Sequence, residues 1–363
     1  MKIGIDVQAQ VGRPTGLGVY ARNLVNALLS IDGKQNEFFF YQKETDSRDL
    51  NTLERILWEN TEVPHRARKD RVDLLHTPAF APPWPKPCPT VVTVHDLIGL
   101  AFPNQMGWPS RFYWRSWLPA RVRRADRMIA VSEHTKRDIV KYLGVDEKEI
   151  TVIYPSGHEG FRSVTEERLL RETRERYGIK EKYLLAVGTL EPRKNLLKTI
   201  EAFKGFLKRR KSSEATYQLV VVGGVDFAHG KVFTKVVNDS PIEGEEIIFT
   251  GYVEQEVLNR LYSGAEAFVF CSLYEGFGIP LLEAMASGTP VITSRGSSLP
   301  EVAGDAALYV DPTDSNSITQ AMLSVCENSR LREELIKKGA ERIKQFSWEK
   351  TARRTMEVYQ SLL

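Results

Sequence analysis

The sequence predicts an α/β protein with mostly parallel sheets, divided into two domains. Three observations lead there. Short apolar runs alternate along the chain with longer amphipathic ones, the pattern of strands covered by crossover helices. Glycine-bearing segments stand between strand and helix candidates, where open α/β sheets place their ligand loops. The length of 363 residues suits two domains of ordinary size.

In the first half the strand candidates are Lys2–Val7, Glu37–Tyr41, Leu74–His76, Thr90–His95 and Arg127–Val131, with helices at Gly18–Ser30 and Glu133–Leu143. A last strand of this half is broken by Pro155-Ser156-Gly157. The second half repeats the rhythm with Tyr183–Val187, Gln218–Val222, Glu246–Thr250, Ala267–Cys271, Pro290–Thr293 and Ala307–Val310 as strands. Its helices are Asn195–Lys211, Gln255–Ser263, Leu281–Ser287, Ser315–Glu327 and Ser329–Phe346. The junction falls within Tyr154–Lys182, where Thr165 is the expected N-cap of a charged helix. The expected domains are therefore 1–165 and 166–346. Thr77–Pro89 holds six prolines in thirteen residues, so it reads as a loop after a strand and a candidate ligand-site wall.

Composition narrows the function. Hydrophobic residues are 42% and charged residues 27%, enough to bury a core in each half. A net charge of +3 argues against nucleic acid as the main partner. Three scattered cysteines fit neither a disulfide framework nor a zinc site, and the histidines show no ligand spacing, so no metal is expected. No apolar run reaches the roughly 18 residues of a bilayer span, and the N-terminus lacks a signal-peptide pattern. The expectation is a cytoplasmic protein.

The densest chemical signal is Gly188-Thr189-Leu190-Glu191-Pro192-Arg193-Lys194-Asn195, between a strand and a helix. Gly188 permits a tight turn, while Arg193, Lys194 and helix-start N–H groups make an anion site suited to a pyrophosphate. A second strand-to-helix segment runs from Ser272 to Gly288 and includes Glu275, Gly276, Phe277, Gly278, Ile279, Leu281 and Glu283. Its glycines allow close backbone approach, and its two carboxylates suit sugar hydroxyls. Gly16-Leu17-Gly18-Val19-Tyr20-Ala21 formally satisfies GxGxxA, but eight residues separate it from the preceding strand. It reads as a loop ahead of a helix. His95 ends a strand, where a neutral imidazole can exchange hydrogen bonds with a reacting hydroxyl. Trp108–Arg127 interleaves six arginines with aromatic residues, a pattern of interfacial segments or of a helix packed on its aromatic side.

Taken in order, these motifs resemble the retaining glycosyltransferases of family 4, over nearly the whole chain. Val131-Ser132-Glu133-His134-Thr135 and Ser298-Leu299-Pro300-Glu301-Val302 add to the resemblance. It implies the GT-B fold, two Rossmann-like domains facing across a cleft, with residues 347–363 packing back on the first. It implies a nucleotide-diphosphate sugar as donor and no cofactor. Arg193 and Lys194 would bind the diphosphate, Glu275 the sugar hydroxyls and Glu283 the ribose, with His95 near the reacting face. Gly16 and Gly18 would close over the diphosphate, and Gly188, Tyr252, Val253 and residues 276–279 with Leu281 would line the donor. Many relatives carry Arg where this chain has Thr189.

The overall look is similar to bacterial mannosyltransferases of surface-polysaccharide assembly, which points to GDP-mannose and to a saccharide or lipid-linked oligosaccharide acceptor. Peripheral contact with the inner face of the plasma membrane would run through 108–127. No Asp-x-Asp occurs, so metal-independent transfer is expected, with the cations stabilising the leaving diphosphate. The alternatives are an NAD-dependent oxidoreductase, resting on Gly16–Ala21, and a GT-B-type nucleotide-sugar epimerase.

Overall fold

The computed structural model describes residues 1–11, 16–43, 50, 52–79, 81–103, 113–157, 159–210, 216–224 and 246–363. It divides into two compact units, Met1–Ser156 with Phe346–Leu363, and Gly157–Gln345.

The first unit carries a six-stranded parallel sheet: β1 (Lys2–Asp6), β2 (Glu37–Tyr41), β3 (Leu74–Thr77), β4 (Thr90–Val94), β5 (Arg127–Ala130) and β6 (Ile150–Val152). Their spatial order is β2-β1-β3-β4-β5-β6. Strands β3 and β4 are buried at every position, as expected where helices cover both faces of a parallel sheet. The helix Gly16–Asp32 packs against the C-terminal helix Trp348–Gln360. Trp348, Ala352, Met356 and Tyr359 recur at helical spacing and make the buried stripe of the latter. Tyr359 Oη and Thr93 Oγ1 lie 2.6 Å and 2.9 Å from the two ring nitrogens of His76.

The helical stretch Thr52–Leu57, Trp58–Glu62 and Val63–Asp70 is absent from the expected elements. Its burial comes from a few residues, Trp58, Glu59, Val63, Pro64 and Ala67, in an otherwise charged run, so its apolar face is too narrow to read. Trp58 Nε1 donates to Asp6 Oδ1 at 3.2 Å and ties the stretch to the end of β1.

The second unit has strands β7 (Lys182–Val187), β8 (Tyr217–Val222), β9 (Ile247–Gly251), β10 (Ala267–Phe270), β11 (Val291–Ser294) and β12 (Ala307–Val310). All are parallel, in the order β12-β11-β10-β7-β8-β9. The chain builds outward from β7 to β9, then crosses back and builds the other way from β10. The strand order thus reverses between β7 and β10. Loops leaving adjacent strand ends at such a point diverge, and the crevice between them is where open α/β sheets bind ligands.

Two local expectations need correction. Glu166, not Thr165, is the N-cap of the helix Glu167–Tyr177, and its side chain makes no capping bond. The helix expected over Asn195–Lys211 runs from Leu196 to Arg209, with Arg193 and Lys194 ahead of it. They belong to a separate 3-10 turn, Pro192–Lys194. Asn195, in the left-handed region at φ 59°, breaks one from the other.

Candidate active site

The loops after β7 and β10, at the reversal of the second sheet, bring four charged side chains together. Lys194 Nζ donates to Glu275 Oε1 at 2.7 Å and Arg193 Nη1 donates to Glu275 Oε2 at 3.0 Å. Arg193 Nε donates to Glu191 Oε2 at 2.6 Å. Lys194 Nζ also sits 5.0 Å from the centre of the Phe270 ring at the end of β10. Glu275 is only 8% exposed. Burial opposes its ionisation, but Lys194 and Arg193 outweigh that and hold its carboxyl below the ordinary carboxylate range. It is a carboxylate at neutral pH.

The backbone around this cluster is stitched across strands. Leu273 N donates to Arg193 O at 2.7 Å. Asn195 Nδ2 donates to Cys271 O at 3.0 Å and to Pro312 O at 2.7 Å, joining the loops after β7, β10 and β12. Gly188 has φ 148°, and the aliphatic stem of Lys194 packs 3.4 Å from where a Cβ would stand. A side chain at that glycine would be strained and would crowd the lysine. Beside it, Gly223 ends β8 at φ 144°, and a Cβ there would meet Gly188 O at 2.1 Å.

The loop after β10 is held from below. Ser298 Oγ lies 2.9 Å from Glu275 O and 2.7 Å from Phe277 O, and Glu275 N donates to Ser297 Oγ at 3.0 Å. Gly278, at φ 109°, turns the chain into the helix Ile279–Ala286, with Pro280 in its first turn. Ile279 is half-buried and Leu281 buried at the start of that helix. Glu283, one turn in, accepts a hydrogen bond from Tyr262 Oη at 3.2 Å, and desolvation pushes its carboxyl up to about 7. After β9, Tyr252 is exposed and Val253 buried. Gly188, Arg193, Lys194, Tyr252, Val253, Glu275, Gly276, Phe277, Gly278, Ile279, Leu281 and Glu283 therefore all lie at or beyond the carboxyl ends of one sheet.

The remaining candidates belong to the first unit. His95 follows β4 directly; its Nε2 donates to Pro78 O at 2.7 Å, since a carbonyl can only accept. Burial lowers its pKa to about 4, so the ring is neutral and Nδ1 carries the lone pair. Tyr20 meets the His95 ring edge-on at 4.6 Å, which places the start of the first helix beside it. Gly16 and Gly18 lie in the first turn of that helix rather than in a loop ahead of it. A Cβ on Gly18 would meet Ala9 O at 2.3 Å, so close packing on the turn after β1 accounts for this glycine. The ground against a dinucleotide fingerprint at Gly16–Ala21 is the stretch Gln8–Thr15 between β1 and the glycines. Of the basic-aromatic segment, 108–112 lies outside the described residues. In the rest, Tyr113, Trp114 and Trp117 are half-buried while Arg115, Arg123 and Arg124 are exposed.

Three participants are less legible from sequence. Glu191 stands inside the basic motif but reads as a solvated acid beside a base. Tyr262 reads as a core aromatic, 21 residues from its partner. Ser298 sits in a motif whose chemistry shows only once its hydroxyl is seen beneath the Glu275 loop. Among the described residues, no group of three or more His, Cys, Asp or Glu side chains is arranged to hold a metal ion.

Known proteins share the sequence patterns and the fold. The family profile described as "Glycosyl transferases group 1" matches residues 171–342, and "Glycosyltransferase Family 4" matches residues 14–156. An O-antigen chain mannosyltransferase B from Escherichia coli is 30% identical over 279 residues, 75% of this chain and 70% of that protein. The O-antigen chain mannosyltransferase RfbU of Salmonella typhimurium is 34% identical over 235 residues, 64% of this chain and 60% of that protein. Only 34% of the serotype-specific mannosyltransferase WbdA of Escherichia coli is matched, at 29% identity over 79% of this chain.

Among solved structures, a sucrose-phosphate synthase from Thermosynechococcus elongatus superposes with a TM-score of 0.76 at 21% identity, over 99% of this chain and 98% of that one. Anabaena HepE in complex with UDP-glucose gives 0.73 at 16% identity, over the whole of both chains. At those identities the likeness speaks for the fold, GT-B, and the sequence relatives speak for the family. The chain belongs to the family 4 glycosyltransferases.

Proposed function

We propose that this glycosyltransferase moves a hexose, mannose, from GDP-mannose to a hydroxyl of a saccharide or lipid-linked saccharide, with retention of configuration and without a metal. The observation that carries the donor site is the Arg193–Glu275–Lys194 cluster at the strand-order reversal. Two cations there face one carboxylate, in a loop pair rigid enough to keep them aimed. A diphosphate entering this site competes with Glu275 for Lys194 Nζ and Arg193 Nη1, and a carboxylate relieved of its partners can accept hydrogen bonds from sugar hydroxyls. Mannose as the sugar is taken from the names of the sequence relatives.

Breaking the bond between the anomeric carbon and the phosphate oxygen puts negative charge on the leaving diphosphate. Preorganised Arg193 and Lys194 stabilise that charge where it develops, which is the role a metal fills elsewhere. The new bond forms from the acceptor oxygen to the anomeric carbon on the same face, and the acceptor's proton passes to the departing phosphate. His95 is assigned near this chemistry by resemblance; its neutral ring, with the lone pair on Nδ1, suits accepting a hydrogen bond from a hydroxyl.

Peripheral membrane contact is proposed on the exposed Arg115, Arg123 and Arg124, with Trp84 under the Arg124 guanidinium at 4.3 Å. Salt-sensitive flotation with anionic liposomes supports it; no flotation at low salt removes it.

The deciding experiment is slow donor hydrolysis across GDP-mannose, UDP-glucose and other nucleotide sugars, with and without EDTA, followed by NMR of the transferred anomer. GDP-mannose is expected to lead, with turnover intact in EDTA and configuration retained. Metal-restored activity, an inverted product or another preferred donor each overturns the corresponding part.

A further inference from the structure

Arg193 is gripped on two edges by two different carboxylates, and one of them also bonds Lys194. Glu275 takes Nη1 at 3.0 Å; Glu191 takes Nε at 2.6 Å. Glu191 is itself held, because Thr189 Oγ1 donates to its other oxygen, Oε1, at 2.6 Å. A chain of hydrogen bonds thus runs Thr189–Glu191–Arg193–Glu275, from the strand β7 side of the loop to the loop after β10.

Residues two apart on a helix do not face each other, so an acid cannot ordinarily reach an arginine at i+2. Here it can, because Glu191 is extended (φ −85°, ψ 141°) immediately before the 3-10 turn that Pro192 opens. Its own carbonyl accepts Lys194 N at 2.9 Å, which fixes that turn against it. The geometry is built, yet electrostatically it works against anion binding. The formal charges of Arg193, Lys194, Glu191 and Glu275 cancel. Burial opposes ionisation of Glu191, but Thr189 and Arg193 hold its carboxyl below the ordinary range, so its negative charge is present at neutral pH. A carboxylate beside a diphosphate site needs a reason to be there, and the planar, five-donor guanidinium supplies one. Contacts on two edges fix both its plane and its rotation.

We infer that Glu191 is a positioning residue: oriented by Thr189, it clamps the Nε edge of Arg193 so that the Nη edge stays turned toward Glu275 and the diphosphate site. This rests on the reading of Arg193 as a diphosphate ligand. Ordering the guanidinium before the ligand arrives reduces the entropy lost on binding, at the expense of some net positive charge.

The test is GDP and UDP affinity by calorimetry, with donor kcat and KM, for Glu191→Ala, Glu191→Gln, Thr189→Val and Arg193→Ala, each with a melting curve. Positioning predicts that Glu191→Ala loses about tenfold in nucleotide affinity and kcat/KM, the size of one charge-assisted hydrogen bond. Glu191→Gln, which keeps an acceptor oxygen, recovers part of that loss, and Thr189→Val, at an exposed position, falls between. Affinity unchanged or raised in Glu191→Ala overturns the inference, since removal of a negative charge alone tightens an anion. An equal loss in Glu191→Ala and Glu191→Gln also overturns it, because an acceptor oxygen at the Nε edge would then do nothing to hold the guanidinium. If Arg193→Ala itself leaves GDP and UDP binding intact, the donor-site reading fails first; if it weakens them while the Glu191 variants do not, only this inference fails.

Discussion

Tyr262 Oη donates to Glu283 Oε2 at 3.2 Å, from a ring held edge-on by Phe268 at 5.1 Å and by Phe161 at 5.8 Å. The tyrosine is fully buried, so its hydroxyl has no freedom to follow a moving carboxylate. It fixes where Glu283 points, and by donating to the charged form it restrains a carboxyl that desolvation pushes up to about 7.

A titration near neutrality follows. A raised carboxyl is protonated below about pH 7 and becomes the better acceptor only above it, which matters if Glu283 takes the ribose hydroxyls as the resemblance implies. GDP affinity is therefore expected to rise between pH 6 and 8 and then level. In Tyr262→Phe the midpoint moves upward, because the donor that favours the carboxylate is gone. Glu283→Gln should bind more weakly and show no such step. Calorimetry across that pH range decides it, and a flat profile in the unaltered protein would remove Glu283 from the ribose site.

Gly223 tests whether the phosphate loop depends on its neighbour. An added Cβ would sit 2.1 Å from Gly188 O at a φ of 144°, so Gly223→Ala must displace the loop backbone. The expected result is a stability loss of about 1–3 kcal/mol by denaturant titration, with weakened nucleotide binding although no ligating side chain changes. Gly16→Ala is the control, since nothing lies within 4 Å of its Cβ position and it opens a helix. In the denaturant titration, the only readout for which it serves as a control, it should be neutral or slightly stabilising.

Glu59 makes the first unit sensitive to alkali. It is 1% exposed, and its carboxyl is raised to about 8, chiefly by burial and also by Asp6, against the pull of Arg55 and Arg121. In the unfolded chain it ionises near 4.5, so its contribution is fully present below that pH and is lost as pH rises toward 8. Asp6, raised to about 6, acts in the same direction at lower pH. Glu59→Gln is expected to flatten the melting-temperature profile between pH 5 and 8 and to be the more stable protein at pH 8. A Glu59→Gln profile parallel to that of the unaltered protein would contradict the assignment.

Most of the second unit was legible because its strands are short, apolar and followed by glycine-bearing loops. Arg193, Lys194, Glu275 and Glu283 were found from the loops' positions after strands, and the structure places the four at neighbouring strand ends. The pairing of both cations with Glu275 was not legible, since residues 81 and 82 apart meet only through the strand-order reversal. The role of Glu191 is not legible in sequence, because its reach to Arg193 depends on one extended residue before a proline. In the first unit, Gly18 reads as a ligand glycine, and the structure adds a packing demand invisible in sequence, since a Cβ there would meet Ala9 O. The stretch from Thr52 to Asp70 hid its buried Trp58 and Glu59 among charged neighbours, where a hydrophobic pattern carries too little signal.

Arg193 and Lys194 are proposed as the cationic grip on a nucleotide diphosphate. The most direct test is GDP and UDP binding, with donor turnover, in Arg193→Ala, Lys194→Ala and the double variant. Each single variant should lose about 2–4 kcal/mol of transition-state stabilisation in kcat/KM, and the double variant should show no measurable nucleotide binding. A folded double variant that binds GDP or UDP and turns over donor as the unaltered protein does would contradict the account.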